Sequence, residues 1–159
     1  VEVIRQAQTM REAQREEFLA QFQEKRTDTL IGFCVMGGIF SEGIDLVGER
    51  LIGALIVGTG LPQVSNEKKI LMDFYDKKGE NGFDYAYRIP GMNKVQQSAG
   101  RVIRTVDDRG IIALLDERFL YRESLNLFPR EWFPYEVVTM DTAGERAEAF
   151  WMEGFSENR

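Results

Sequence analysis

The sequence predicts an α/β fold, with a mainly parallel sheet flanked by helices. Three observations carry this: five short apolar runs, stretches of helical character between them, and a glycine-rich loop directly after the second run. The runs are near-continuous rather than alternating, as strands covered on both faces are. Alternation of strand and helix supplies the crossovers that parallel neighbours need.

The first run is Val1–Ile4, followed by residues 10–25, rich in Glu, Gln, Arg and Ala. Phe18, Leu19 and Phe22 give that stretch a core-facing helical stripe. Leu30–Met36 is the second run and Leu51–Val57 the third. Residues 66–78 read as a helix behind Ser65 and Asn66 as caps, carrying Ile70, Leu71, Phe74 and Tyr75. Residues 76–92, with Gly79, Gly82, Pro90 and Gly91, read as the longest loop, and 93–106 as the next helix. Ile111–Leu115 is the fourth run, and one or two helical turns are expected after Asp116. Val137–Met140 is the fifth, before a last helix over 142–153 with a fraying end from Glu153 to Arg159. No repeat or linker divides the chain, so residues 1–159 are expected to form a single domain.

Composition narrows the function classes. With 43% hydrophobic and 29% charged residues the chain reads as globular, neither disordered nor membrane-spanning. It has one cysteine and no histidine, which excludes a disulfide framework and any His/Cys metal site. Any metal would need oxygen ligands, and no metal-binding residue is assigned. Cys34, inside an apolar run, is expected to be a buried small hydrophobe. A net charge of −6 gives no global basic field for nucleic acid, so such a role would rest on backbone amides and a few placed side chains. Val1 opens in what reads as mid-strand, with neither initiator methionine nor signal-peptide pattern. A piece of a longer, cytoplasmic protein is therefore expected.

Residues 97–104, Gln-Ser-Ala-Gly-Arg-Val-Ile-Arg, are the most informative segment. If helical, they place Gln97, Arg101 and Arg104 on one stripe, with Val95, Ala99, Val102, Ile103 and Val106 on the core side. Gly100 leaves room for close approach. Two guanidiniums that stay charged suit a polyanion such as a triphosphate. The alternative is a surface helix with two solvated arginines.

In open α/β sheets ligands bind at the carboxyl ends of the strands, where Gly37-Gly38-Ile39-Phe40-Ser41-Glu42-Gly43-Ile44-Asp45 follows the second run. Its three glycines allow a tight loop whose N–H groups can hold phosphate oxygens. Ser41 adds a hydroxyl, and Asp45 a carboxylate able to accept from a ribose. The same loop also reads as a structural turn.

Together, Phe40-x-Glu42-Gly43-Ile44-Asp45 and, about fifty residues on, Gln97-x-x-Gly100-Arg101-x-Ile103-Arg104 resemble motifs V and VI of superfamily 2 helicases of the XPD/DinG-like type. Leu61-Pro62, Gly110 with the run before Asp116-x-Arg118, Pro129 near Trp132, and Met10-x-Glu12-x-x-Arg15-x-x-Phe18-Leu19 agree with it. The resemblance covers nearly the whole chain, and motif VI is its most specific part.

The resemblance implies a RecA-like three-layer domain, the second motor domain of an ATP-dependent DNA helicase, acting in DNA repair. Arg104 would be the arginine finger reaching the γ-phosphate. Arg101 would contact phosphates or couple nucleotide state to closure, and Gln97 would hydrogen-bond at the same cleft. Gly43 and Asp45 would face the nucleotide; Gly38, Phe40 and Ser41 would lie towards single-stranded DNA. Phe40 could stack on a base or simply pack, and Glu42 would orient a neighbouring basic group. ATP with Mg2+ would be shared with a first motor domain of the same parent chain. That domain would supply the Walker A phosphate-binding loop, the Walker B acid and, usually, a four-cysteine iron–sulfur cluster.

No Gly-x-x-x-x-Gly-Lys-Ser/Thr occurs here; Gly58-Thr59-Gly60-Leu61-Pro62 has no lysine behind it, and Leu114-Leu115-Asp116-Glu117 only imitates an acidic strand end. Asp116 and Arg118 read as structural. Alone, the chain is expected to hydrolyse no ATP and to bind DNA weakly. The competing readings are a non-catalytic motor half kept as an interaction scaffold and a small Rossmann-type nucleotide-binding enzyme. The latter lacks a Gly-x-Gly-x-x-Gly turn after the first strand.

Overall fold

The computed structural model describes residues 1–40, Leu46 and 48–156, with the side chains of the last helix described as far as Glu153. Four of the five apolar runs are strands: β1 (Glu2–Arg5), β2 (Leu30–Phe33), β3 (Gly53–Val57) and β4 (Ile111–Leu115). They form two parallel pairs, β1 with β2 (Glu2 opposite Leu30) and β3 with β4 (Gly53 opposite Ile111). Each crossover runs through helix, as parallel pairing demands. The α/β class is therefore as expected, in the form of two parallel pairs with helices around them.

Helix α1 (Glu12–Ala20) crosses from β1 to β2 and buries Phe18. The Phe18 ring lies 5.8 Å from that of Phe22 and 4.5 Å from that of Phe40. Gly32 in β2 admits this cluster, since a Cβ there would stand 2.6 Å from the Phe22 ring. Arg50, in a 3-10 turn over Gly48–Arg50, ties that turn to the segment just after α1 by donating from Nε to the Phe22 carbonyl at 2.8 Å.

Helix α2 (Asn66–Lys77) starts where its cap predicts: the Ser65 hydroxyl accepts the Lys68 N–H at 3.3 Å. The stretch expected to be the longest loop is instead mostly helical. A helix opens at Gly82, widens into a π turn over Asp84–Arg88, and continues as α3 (Ile89–Ala99). The Ile89 N–H reaches back five residues to the Asp84 carbonyl, and Arg88 pairs with Asp84. Pro90 explains the widening, because it has no N–H for the Ala86 carbonyl. Ala86, Tyr87, Met92, Val95 and Ala99 of this continuous helix are buried and form the core with Ile56, Val102 and Phe119.

After β4 come a 3-10 turn (Glu117–Leu120) and the short α4 (Arg122–Leu125), the turns expected after Asp116. Asp116 accepts from Arg118 Nε at 2.8 Å and Nη2 at 2.6 Å, and its Oδ1 also caps the turn. This pair is structural, as the sequence suggested.

From Phe128 onward the chain forms a second compact unit. Phe128, Trp132, Phe133 and Tyr135 cluster there. The fifth expected strand, Val137–Met140, does not form: residues 135–139 take no regular structure, and α5 (Met140–Ser156) begins at the run's last residue. The local reason is Thr139, whose N–H donates to the Thr142 hydroxyl at 3.0 Å while its carbonyl accepts from Thr142 and Ala143. Those bonds start a helix rather than a ladder. Residues 157–159 of the expected frayed end lie outside the described residues. No helix among the described residues is long and apolar enough to cross a membrane.

Candidate functional site

The carboxyl ends of β1 and β2 meet in a turn. The Gln6 side chain accepts the Val35 N–H at 2.9 Å, and the Gly38 N–H donates to the Val35 carbonyl at 3.0 Å. Gly37 takes φ +75°, a conformation that suits glycine. Lys94 of α3 lies across it: a Cβ on Gly37 would stand 3.1 Å from Lys94 Cδ and 3.6 Å from Nζ. A cation is thus delivered to the loop expected to receive phosphate. Sequence reading missed Lys94, although its place three residues before Gln97 puts both on neighbouring parts of one helix face.

The structure corrects part of the loop assignment. Phe40 is only 4% exposed and packs on Phe18, so its ring is core and offers no face to a base. The N–H of Gly38 is already committed within the turn. Ser41, Glu42, Gly43, Ile44 and Asp45 lie outside the described residues. Cys34 is also corrected: the residue is exposed, and partial desolvation of its thiol pushes the pKa up to about 11, keeping it protonated at neutral pH.

The loop after β3 reaches the same region. A Cβ on Gly60 would stand 2.8 Å from the Gly91 carbonyl oxygen and 2.9 Å from Met36 Sδ. The ends of β2 and β3 therefore converge on the first half of α3.

Gln97, Arg101 and Arg104 do not share a helical stripe. Helix α3 ends at Ala99 with Gly100 as its cap, and Arg101 and Arg104 stand in the connection to β4. The core side of the expected stripe ends with Val102, which is 4% exposed, whereas Ile103 is 45% exposed and Val106 fully exposed. Two contacts stop the helix. Val102 is drawn against Gly110, where there is no room for a Cβ. Asp108 Oδ2 accepts the N–H of Arg104 at 2.9 Å and of Thr105 at 2.8 Å, two donors a longer helix would have used internally. These backbone bonds hold the Asp108 carboxyl below the usual carboxylate range, with the Arg104 charge as a lesser cause.

Gln97 is exposed, and Arg101 and Arg104 are half-buried. Its neighbour Gln96 is structural, its Nε2 donating to the Leu127 carbonyl at 2.6 Å. A carboxamide and two guanidiniums within residues 97–104 can donate to phosphate oxygens. No group of three or more metal-ligating side chains occurs among the described residues. The donor set therefore fits the phosphates of a nucleotide, and the described residues offer no cluster for its Mg2+.

Residues 1–135 match the family model described as a helicase C-terminal domain. The chain is 28% identical over 135 residues to a probable ATP-dependent helicase of Methanocaldococcus jannaschii, covering 76% of this chain and 20% of that protein. It is 29% identical over 131 residues to a regulator of telomere elongation helicase 1 homologue of Caenorhabditis elegans, covering 76% and 13%. With the ATP-dependent DNA helicase DinG of Photobacterium profundum it shares 36% over 87 residues, covering 54% and 12%. The chain thus spans a fifth or less of each of these three relatives.

Proposed function

Because this chain belongs to the helicase C-terminal domain family, in its XPD/DinG-type branch, we propose that it is the second, RecA-like motor half of an ATP-dependent DNA helicase. In this reading the nucleotide binds at a cleft between this half and a first motor domain of the same parent protein. That partner holds the triphosphate and its Mg2+. This chain supplies Gln97 and Arg101 as hydrogen-bonding and phosphate-contacting groups and Arg104 as the arginine finger. Gly43 and Asp45 face the nucleotide.

The chemistry asks for charge at the transferred phosphoryl group. As the bond to the leaving phosphate breaks, negative charge spreads over oxygens that a guanidinium can meet with paired donors. An arginine supplied across a cleft is worth about 10³–10⁵ in rate. Closure over ATP and release after hydrolysis change the spacing of two grips on single-stranded DNA and step the motor along it. On this side the grip is the turn after β2, with Ser41 and the Lys94 ammonium towards phosphates, Gly38 closing the turn through its own N–H, and Phe40 bracing the loop from below. One observation supports the reading above the others: the Arg104 backbone is fixed by a carboxylate rather than left on a loose loop.

The test is single-stranded-DNA-stimulated ATP hydrolysis by the full-length protein containing this chain, with and without Arg104→Ala. A fall in kcat of about a hundredfold or more, with ATP binding kept within a few-fold, is expected. Equal rates would overturn the reading.

A further inference from the structure

We propose that Asp108 is a positioning residue for Arg104, fixing through the backbone the point from which the guanidinium is presented to phosphate. The inference rests on the reading of Arg104 given above. Helix α3 stops at Ala99, so no helical ladder holds Arg104 in place. Its backbone N–H donates instead to a carboxylate oxygen, Oδ2 of Asp108, which accepts both the Arg104 N–H at 2.9 Å and the Thr105 N–H at 2.8 Å.

The rest of the loop closes around the same residue. The Asp108 N–H donates back to the Thr105 carbonyl at 3.3 Å, and the Thr105 hydroxyl accepts the Asp107 N–H at 3.3 Å. Upstream, Val102 is sunk in the core against Gly110. The arginine thus hangs between an apolar anchor two residues before it and an ionic anchor four residues after it. Bonds from N–H to an ionised carboxylate are shorter and about twice as strong as neutral ones. The same bonds hold the Asp108 carboxyl below the usual range, so the anchor is ionised at neutral pH.

A neutral carboxamide at 108 would offer a weaker acceptor, and alanine none. Losing the anchor would let the Arg104 backbone drift. Misplacing a catalytic group by about 1 Å can cost on the order of a hundredfold in rate. Asp108 need not touch ATP to matter.

The experiment is a double-mutant cycle in the full-length protein, read as the steady-state kcat and KM of DNA-stimulated ATP hydrolysis. Asp108→Ala should lower kcat by about tenfold or more while leaving KM for ATP within about threefold, and Asp108→Asn should fall between it and the parent. In an Arg104→Ala background, Asp108→Ala should cause no further loss. Hydrogen exchange over residues 101–109 should accelerate in Asp108→Ala with the strands unchanged. If Asp108→Ala fails to fold, Asp108→Asn carries the same cycle.

An equal fold-loss in both backgrounds would overturn the proposal, because Asp108 would then act on something other than Arg104. A kcat unchanged by either substitution would overturn it as well. Failure of the underlying reading is distinguishable: Arg104→Ala by itself would then leave the rate unchanged, and the proposal would fall with it.

Discussion

Gly60 and Gly91 touch backbone to backbone. A Cβ on Gly60 would stand 2.8 Å from the Gly91 oxygen, and one on Gly91 would stand 2.6 Å from the Thr59 oxygen. The loop after β3 therefore seats directly on α3. Gly91→Ala should push the two apart and destabilise the chain by about 1–3 kcal/mol, the usual cost of overpacking. Gly144→Ala is the control: nothing lies within 4 Å of its added methyl inside α5, and it should stabilise by about 0.5–1 kcal/mol. Denaturant melts of both variants check the contrast.

Phe40 separates stability from binding. Its ring is buried on Phe18, so Phe40→Ala should cost about 3–5 kcal/mol and Phe40→Leu less than about 1.5 kcal/mol. Single-stranded DNA affinity of folded, full-length Phe40→Leu should stay within about twofold of the parent. A base-stacking ring would instead lose about 1–3 kcal/mol of binding on truncation.

Lys94 should behave in the opposite way. Lys94→Ala leaves the core intact, since the side chain lies over Gly37 at the surface of the loop and is not among the buried residues. In the full-length protein it should weaken single-stranded DNA binding at low salt and reduce the salt slope by about 0.7, the value of one phosphate contact on a single strand. Titrations at several salt concentrations check this; an unchanged slope would remove Lys94 from the grip.

Acid sensitivity follows from two carboxylates. Hydrogen bonds from Arg118 lower the pKa of Asp116, and backbone N–H groups lower that of Asp108. A carboxylate whose folded pKa is depressed contributes stability that is fully present above its unfolded pKa, about 3.9. That contribution disappears as pH falls through the folded value. Stability should therefore be insensitive to these groups at neutral pH and decline below about pH 4. Asp116→Asn should make the decline shallower in melts across that range.

Much of the framework was legible because the signals were local. The Ser65 cap, the four strand runs and the Phe18 stripe each depend on near neighbours or simple periodicity. The misread stretches were decided by distant partners. Gly82 and Gly91 read as loop formers, yet each admits a backbone close by: Met72 carbonyl oxygen in one case and the Thr59–Leu61 segment in the other. Val137–Met140 has strand composition, but Thr139 spends its hydrogen bonds on a helix start.

The site shows the same division. Which residues bear donors was readable from the spacing of Gln97, Arg101 and Arg104. How they are mounted was not, because the end of α3 is decided by Asp108 and by Val102 against Gly110. The turn chemistry of Thr105–Gly110 was the available signal.

The π turn before α3 bears on which residues of that helix face the core. Each residue of an α-helix advances the azimuth by about 100°. The widened turn at Asp84–Arg88 therefore acts as a phase setting for the helix behind it. Only in that phase do Met92, Val95 and Ala99 point inward while Gln97 stays outside and Lys94 lies over the loop. Removing one residue from the turn would rotate the whole row and bury its polar members, with every letter of the row unchanged. In this segment the angle about the helix axis, more than the identity of any one residue, decides which side chains reach the core and which reach the loop.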